Sequence, residues 1–260
     1  MAESKILHSK TYGHGRPAVL LHGVFGLSAN WAPLATVLSG SGFQVHALDL
    51  RGHGRSFRGA DMSLVAMADD VRRYMEANRL EKAAILGHSM GGKIAMDFAC
   101  RHPECCRELI VVDISPRAYD PGRIKELAGT AIHIEDFEPQ SREEARSMLE
   151  QQIGDAGWQA LLAQNLYRKE NGAYGFRFDG RSIRDNAAML TAFLPADYSF
   201  KGKVLFVRGD GSDSVTKEDE AILKKYFPAF HIVSIAGAGH WVHADAPVPF
   251  SKTVSDFLRE

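Results

Sequence analysis

A serine flanked by glycines separates two apolar segments of the chain, in the stretch Gly87-His88-Ser89-Met90-Gly91. An apolar run precedes this G-x-S-x-G pattern and helical spacing follows it, as in a sharp strand-to-helix turn. Side chains two positions on either side of the serine would collide in such a turn, which explains the two glycines. The turn also presents the hydroxyl to the free N–H groups at the start of the helix. We therefore expect Ser89 to be a nucleophile.

A serine hydroxyl needs a base within hydrogen-bond reach before it can attack a substrate. Among the eleven histidines, His240 in "GAGHWVHADAP" is best placed, since it follows the last apolar strand in a glycine-containing loop. His243, in the same loop, is the alternative base. An acidic partner for the histidine can come from the end of either neighbouring strand, because parallel strands lie about 5 Å apart. Asp113, Asp210 and Asp213 all follow apolar runs.

Acyl transfer also needs two backbone N–H groups that stabilise the negatively charged oxygen of the intermediate. Met90 directly follows the nucleophile and supplies the first of them. The second is expected from the loop after the first buried strand, in "LLHGVFG", where Val24 is the first choice and Phe25 the second. We expect His22 to hold this loop in place rather than to take part in the reaction.

The elements that must position these residues follow an alternation of short apolar runs and helical patterns. The alternation extends to about position 113 and returns after position 200, which predicts an α/β fold with a mostly parallel central sheet and helices on both faces. The segment between them has a mainly helical pattern. We therefore expect residues 1–115 and 201–260 to form a core, and residues 116–200 to form an inserted cap. The cap would cover the carboxyl edge of the sheet, where open α/β sheets bind ligands.

Large apolar side chains in the cap and beside the motifs are candidates for lining a substrate pocket. In "WQALLAQNLYRKE" the spacing of Trp158, Leu161, Leu162 and Leu166 predicts a helix, which favours core packing for Trp158. Little polar chemistry is visible in the cap, so we expect the substrate to carry an apolar acyl group. The six pocket candidates are Phe25, Tyr119, Trp158, Met189, Phe193 and Trp241.

Composition and charge argue against several classes of partner. The chain has 31 lysine and arginine residues against 32 aspartate and glutamate residues, with no basic run that would indicate a nucleic-acid or membrane surface. The amino-terminal residues lack the apolar stretch of a signal peptide, so we expect a cytoplasmic protein, monomeric or homodimeric. Its three cysteines, Cys100, Cys105 and Cys106, have neither the number of a disulfide framework nor the spacing of a metal site, and we expect no metal.

Four motifs occur in the order found in the α/β-hydrolase superfamily, which the chain resembles over nearly its whole length. They are "LLHGVFG", "DLRGHGRS", "GHSMGGKIA" and "GAGHWVHADAP". Within that superfamily, "GHSMGGK" followed by "VVDISP" is similar to small bacterial acyl esterases of the YbfF type. The resemblance implies hydrolysis of small-molecule carboxylic esters or acyl thioesters by a Ser-His-Asp mechanism that needs no cofactor.

The same resemblance favours one of the three acids. The superfamily usually carries its acid after the strand "KVLFVRG" in a G-x-x-D-x-x-V pattern, but here Ser212 occupies that position, with Asp210 and Asp213 beside it. The YbfF-type enzymes are similar to this chain and place the acid after the preceding strand, where Asp113 stands. We therefore expect Asp113 to be the acid, with Asp213 as the second choice and Ser212 supporting the histidine by hydrogen bonding.

Other functions on the same fold remain open at this point. Cofactor-free perhydrolases and carbon–carbon bond hydrolases keep the same three residues, so the motifs do not separate them from esterases. Relatives that act as ligand receptors with little turnover are the alternative from a different class. Dehalogenases and epoxide hydrolases carry aspartate in place of the serine, so Ser89 argues against both.

Overall fold

A seven-stranded sheet forms the centre of the structure, a computed structural model that describes residues 5–260. The strands, which include a separate pair β6–β7, are β1 (Ser9–Tyr12), β2 (Arg16–Leu21), β3 (Phe43–Leu48), β4 (Ala83–His88), β5 (Cys106–Val112), β6 (Leu166–Arg168), β7 (Tyr174–Phe176), β8 (Lys203–Gly209) and β9 (Phe230–Ile235). The helices are α1 (Ala32–Ser39), α2 (Leu64–Ala77), α3 (Met90–Arg101), α4 (Gly122–Phe137), α5 (Arg142–Gln152), α6 (Ala156–Gln164), α7 (Gly180–Leu190), α8 (Glu220–Tyr226), α9 (Val242–Asp245) and α10 (Pro247–Arg259).

The order of strands across the sheet is β1-β3-β2-β4-β5-β8-β9. β1 pairs antiparallel to β3, and the other neighbouring strands pair in parallel. The nearly continuous apolar residues of β2, β4 and β5 are typical of parallel strands covered on both faces. The predicted α/β fold with a mostly parallel sheet is therefore confirmed. The sequence pattern does not indicate β1, because its four residues lie half-exposed or exposed at the sheet edge and form no apolar run.

Helices cover both faces of the sheet. α1 and α10 contact each other on one face, where Trp31, Leu34 and Phe250 are buried. α2 and α3 contact each other and belong to the core on the other face. α2 begins at Ser63, whose hydroxyl accepts a hydrogen bond from the backbone N–H of Ala66 and so caps the helix.

The segment between β5 and β8 consists of helices α4–α7 and the β6–β7 pair. α6 ends earlier than the apolar spacing predicts, because Leu166 lies in β6, paired with Phe176. The cause is Asn165, whose side-chain amide donates to the backbone carbonyls of Phe25 at 2.7 Å and Leu161 at 3.0 Å. A buried amide with two such bonds favours ending the helix at this residue. Sequence spacing alone therefore overestimates the length of this helix.

Two hinge segments, residues 116–119 and 191–194, carry the chain between the sheet and these helices. They are bonded to each other. The N–H of Tyr119 donates to the carbonyl of Thr191, and the N–H of Leu194 donates to the carbonyl of Pro116, both at 3.0 Å. The division into a core of residues 1–115 and 201–260 and a cap of residues 116–200 stays a prediction. Its first boundary lies at the start of the segment 116–119, and its second lies beyond the segment 191–194.

The carboxyl ends of the parallel strands lie along one edge of the sheet. β4 ends directly before Ser89, β5 ends directly before Asp113, and the loop after β9 contains His240. β8 lies between β5 and β9, so the loop that carries Ser212 starts next to Asp113. The sheet order therefore brings these four residues, which are far apart along the chain, to the same edge.

Replacing Gly87 with alanine is expected to lower the free energy of unfolding by at least about 2 kcal/mol, because the new methyl group would collide with the backbone of Gly91 and Gly92. The matched control is Gly129→Ala in α4, where a methyl group would meet no atom within 4 Å. That change is expected to stabilise the protein by about 0.5–1 kcal/mol, since alanine is the better helix former. Urea unfolding followed by circular dichroism measures both, and a Gly87→Ala protein as stable as the wild type would contradict the prediction.

Candidate active site

Ser89 occupies the sharp turn between β4 and α3 with backbone angles φ 52° and ψ −119°. This conformation is rare for a residue with a side chain and costs about 1–3 kcal/mol. Hydrogen bonds to the backbone on both sides of Ser89 hold this conformation. The N–H of Ser89 donates to the carbonyl of Val112 at 3.0 Å, and its carbonyl accepts from the N–H groups of Gly92 and Lys93 in the first turn of α3. The hydroxyl therefore stands at the amino-terminal end of a helix, clear of the sheet.

The glycines around Ser89 allow backbone segments to approach one another more closely than side chains would permit. A methyl group on Gly91 would collide with the carbonyls of Leu21 and His22, at the end of β2. A methyl group on Gly92 would collide with the side chain of Ile114 beyond β5. The start of α3 is thus packed directly against the ends of the two strands that flank β4, which fixes the position of the serine.

Asp113 is fully buried and lies at the end of β5 with φ 51°. One carboxylate oxygen accepts from the backbone N–H of Gly209 at 3.1 Å. The other accepts from the hydroxyl of Ser212 at 2.5 Å and from Nδ1 of His240 at 2.8 Å. A carboxylate accepts hydrogen bonds only, so Nδ1 of His240 must carry a proton. Asp113 therefore fixes both the orientation and the tautomer of this imidazole.

His240 has a second contact through Nδ1, since the hydroxyl oxygen of Ser214 lies 3.2 Å away. Its ring and Ser89 line the same cavity. Within residues 5–260, however, the hydroxyl of Ser89 forms no hydrogen bond to His240. Contacts of this kind are often long in a protein without substrate and shorten when one binds.

The two other acid candidates are both exposed and lie outside this group. A carboxylate oxygen of Asp210 accepts from the N–H of Gly237 at 2.9 Å. The backbone carbonyl of Asp213 accepts from the guanidinium of Arg117 at 3.0 Å. Neither carboxylate is within hydrogen-bond distance of His240 in the described part of the chain. The geometry therefore favours Asp113 over both, and Ser212 contacts the acid rather than the histidine ring.

The backbone N–H groups of Val24 and Met90 donate to no other protein group among the described residues. Both residues also line the cavity that contains Ser89. Phe25 differs, since its N–H donates to Nε2 of His53 at 3.2 Å and its φ is 61°. Val24 therefore suits an oxyanion contact better than Phe25 does.

Two buried histidines hold the loop that contains Val24. Nδ1 of His22 donates to the carbonyl of Gly23 at 2.7 Å, and its Nε2 accepts from the N–H of Leu50 at 3.0 Å. Burial lowers the pKa of His22, and burial together with the nearby His22 lowers the pKa of His53 to about 3. Both rings are neutral near pH 7, and each ring donates one hydrogen bond and accepts another. Sequence reasoning did not single out His53, although it lies in "DLRGHGRS", one of the four motifs that carry the resemblance.

His88, beside the serine, is a third support that sequence reasoning did not find. Its Nε2 donates to the backbone carbonyl of His240 at 2.8 Å and so joins the turn to the histidine loop. Burial, followed by the nearby His240 and His243, lowers the pKa of His88 well below its usual value. His243 packs on Trp31 with ring centroids 4.8 Å apart, and burial lowers its pKa to about 4. His243 is thus a weaker base than an exposed histidine, and Asp113 contacts His240 instead.

The cavity beside the serine, called the Ser89 cavity below, has a volume of about 300 Å³. Its lining is mainly apolar, with Arg123 and Asp120 among the polar exceptions. The lining residues are Val24, Ser89, Met90, Lys93, Ile114, Tyr119, Asp120, Arg123, Ile124, Trp158, Leu190, Thr191, Ser214 and His240.

The six pocket candidates divide by position. Tyr119 and Trp158 line the Ser89 cavity. Trp241 lines a neighbouring cavity and packs edge-on against Trp158, with ring centroids 4.9 Å apart. Phe25 is completely buried. Met189 and Phe193 are 42% and 48% exposed and do not line the Ser89 cavity. Leu190 of α7 and Thr191 of the second hinge segment face the cavity instead.

Two searches over the described residues concern other kinds of site. No group of three or more histidine, cysteine, aspartate or glutamate side chains within residues 5–260 is arranged to hold a metal ion. No helix in that range is both long and apolar enough to cross a membrane. Cys100, Cys105 and Cys106 are free thiols.

Comparison with known proteins adds to this geometry. The esterase YbfF of Escherichia coli (strain K12) is 29% identical over 246 residues, which cover 94% of this chain and 93% of that protein. The sn-1-specific diacylglycerol lipase ABHD11 of Danio rerio is 31% identical over 253 residues, which cover 95% of this chain and 80% of the lipase. A solved structure described as a marine microorganism esterase superposes with a TM-score of 0.93 at 35% identity, covering 98% of this chain and all of the other. A family model for the alpha/beta hydrolase fold matches residues 17–247. The chain therefore belongs to the α/β-hydrolase family.

Proposed function

We propose that this chain is a serine hydrolase that cleaves carboxylic esters or acyl thioesters with small to medium apolar acyl groups. One observation carries the proposal: the buried carboxylate of Asp113 holds Nδ1 of His240 at 2.8 Å, at the cavity that also contains the strained Ser89. The relatives described above are named as an esterase and a lipase, which is consistent with this reaction class.

In the proposed reaction, Nε2 of His240 takes the proton of the Ser89 hydroxyl as its oxygen attacks the carbonyl carbon of the substrate. Asp113 keeps Nδ1 protonated and stabilises the positive charge that develops on the ring. The alcohol or thiol leaves with the proton from Nε2, and the acyl group remains on the serine. A water molecule then gives a proton to Nε2 of His240 and attacks the acyl-enzyme. The bond between the acyl group and the Ser89 oxygen breaks, the serine takes the proton back from Nε2, and the acid is released.

The negative charge that develops on the carbonyl oxygen is assigned to the N–H groups of Val24 and Met90. Both are free of protein acceptors in the described residues, and the Met90 N–H lies in the first turn of α3, where the helix dipole also favours an anion. Removing one such donor in a comparable site costs about a hundredfold to a thousandfold in turnover. His22, His53 and Asn165 support this assignment by fixing the loop around Val24.

The acyl group is assigned to the Ser89 cavity. Its apolar lining includes Ile124, Trp158 and Leu190, and its volume of about 300 Å³ suits a chain of a few to several carbons. Burying such a chain contributes about 0.8 kcal/mol per methylene group, which would favour apolar acyl groups over polar ones.

Ser89→Ala is expected to reduce the turnover of p-nitrophenyl butyrate by at least about 10⁴-fold, because it removes the hydroxyl that is proposed to form the acyl-enzyme. The matched control is Ser147→Ala on the exposed side of α5, which is expected to keep wild-type turnover. Initial rates at 400 nm measure both. If Ser89→Ala retained the activity of the control, the proposed mechanism would have to be abandoned.

Asp113→Asn is expected to lower kcat by about 10⁴-fold, since the amide cannot hold the imidazole in its reactive tautomer. Asp213→Asn serves as the comparison and is expected to stay near wild type, because the exposed Asp213 side chain makes no contact with His240. Steady-state kinetics on the same ester distinguish the two. The reverse pattern would assign the acid to the loop after β8.

Trp158→Ala is expected to extend the Ser89 cavity and to favour longer acyl chains. The ratio of kcat/KM for the octanoate ester to that for the acetate ester should rise at least about tenfold, because two or more additional methylene groups, at about 0.8 kcal/mol each, would be buried in the enlarged pocket. Met189→Ala, an exposed position outside the cavity, should leave the ratio unchanged. An unchanged ratio in Trp158→Ala would remove Trp158 from the proposed pocket.

A further inference from the structure

Lys93 is a buried cation that the proposed mechanism does not use. It lies four residues after Ser89 on α3, is only 1% exposed, and lines the Ser89 cavity. An ammonium group has three protons and cannot accept a hydrogen bond, so its burial is costly unless each proton has an acceptor.

All three acceptors are backbone carbonyls of the hinge segments. Nζ of Lys93 donates to the carbonyl of Pro116 at 3.1 Å, to that of Ala192 at 2.8 Å, and to that of Arg117. Pro116 and Arg117 belong to the segment that leaves the sheet, and Ala192 belongs to the segment that returns to it. Nζ of Lys93 therefore joins α3, the helix that follows the nucleophile, to both hinge segments.

The hinge carbonyls depend on this lysine to different degrees. The carbonyl of Pro116 also accepts from the N–H of Leu194. Among residues 5–260, the carbonyls of Arg117 and Ala192 have no donor other than Lys93. Loss of the ammonium group would leave two carbonyls unpaired, one on each hinge segment, and would weaken the attachment of both.

The hinge segments also carry part of the Ser89 cavity wall. Tyr119 and Thr191 line it, and the Tyr119 ring centroid lies 5.1 Å from Nζ of Lys93. The Tyr119 hydroxyl donates to the carbonyl of Ser214, in the loop between β8 and α8, at 2.5 Å. A shift of the hinge segments relative to α3 would therefore move one wall of the cavity relative to Ser89.

We propose that Lys93 is a positioning residue that fastens both hinge segments to the nucleophile helix and thereby sets the width of the substrate cavity. Its effect on turnover rests on the proposed ester hydrolysis. Its attachment of the hinge segments does not, and can be measured separately.

The test compares Lys93→Met, which keeps an apolar stem but has no donor, with wild type and with Lys125→Met at an exposed position of α4. Hydrogen exchange, read by mass spectrometry at Tyr119 and Leu194, is expected to be at least about tenfold faster in Lys93→Met than in wild type, as for the loss of one charge-assisted hydrogen bond. Lys125→Met is expected to exchange at the wild-type rate at both positions.

Equal protection in wild type and Lys93→Met would overturn the proposal. If Lys93→Met does not fold, Lys93→Gln, which has only two N–H donors and no charge, takes its place, and equal protection in that variant would likewise refute the attachment. In turnover, Lys93→Met is expected to raise KM for p-nitrophenyl butyrate about tenfold with kcat changed less than about threefold. An unchanged KM would refute the role in cavity width. A wild-type protein without esterase activity would refute the proposed function, and the exchange measurements would still decide the role of Lys93 in the hinge.

Discussion

The site depends on a backbone conformation that Ser89 would not adopt by itself. Its strain of about 1–3 kcal/mol is maintained because the surrounding backbone leaves no alternative. Gly87 and Gly91 let the start of α3 lie directly on the strand ends, and the Ser89 N–H is bonded to β5 through Val112. Phe25 and Asp113 also have positive φ angles, 61° and 51°, in the loops that follow β2 and β5. Each of three neighbouring strands, β2, β4 and β5, is thus followed by a residue with a positive φ angle, and the parallel sheet holds these strand ends together.

Around the serine, uncharged imidazoles fix the geometry. His22, His53 and His88 each donate one hydrogen bond to a backbone carbonyl, and burial lowers the pKa of each. A neutral ring can join two backbone segments without placing a cation beside His240, where added positive charge would oppose protonation of the proposed base. His240 itself remains partly exposed, so the proposed base keeps access to the cavity.

Sequence patterns predict the central features of the fold because those features are local. The run before Ser89 and the glycines around it suffice to predict the strand, the turn and the helix. The pairing of Asp113 with His240 was expected from strand adjacency and from the resemblance to YbfF-type esterases, whereas Ser212, expected to support the histidine, bonds to Asp113 instead. The catalytic roles of Asp113 and His240 stay predictions. Local patterns could not predict the orientation of Met189. Helical spacing shows which residues share one face of a helix, but it does not show which other element packs against that face.

Contacts between residues that are far apart in the sequence could not be predicted from it either. His88 bonds to the His240 carbonyl 152 positions away, and Lys93 to the Ala192 carbonyl 99 positions away. The acceptors are backbone oxygens, which every residue carries, so no residue type in the sequence marks them. The end of α6 was missed for a similar reason, because Asn165 responds to the carbonyl of Phe25, 140 positions earlier.

The carboxylate of Asp113 belongs to β5 but is bonded to the end of β8 through Gly209 and Ser212. The ends of β5 and β8 therefore both border the site that the carboxylate of Asp113 occupies. An aspartate at position 212 beside Asp113 would bring two negative charges together, and one of them would be held protonated. A serine there donates a proton instead. An exchange of acid and hydroxyl between positions 113 and 212 would thus move the acid to the next strand while the sheet, the serine and the histidine stay in place. Such an exchange offers a physical route by which α/β-hydrolases of different lineages can carry the same acid on different strands.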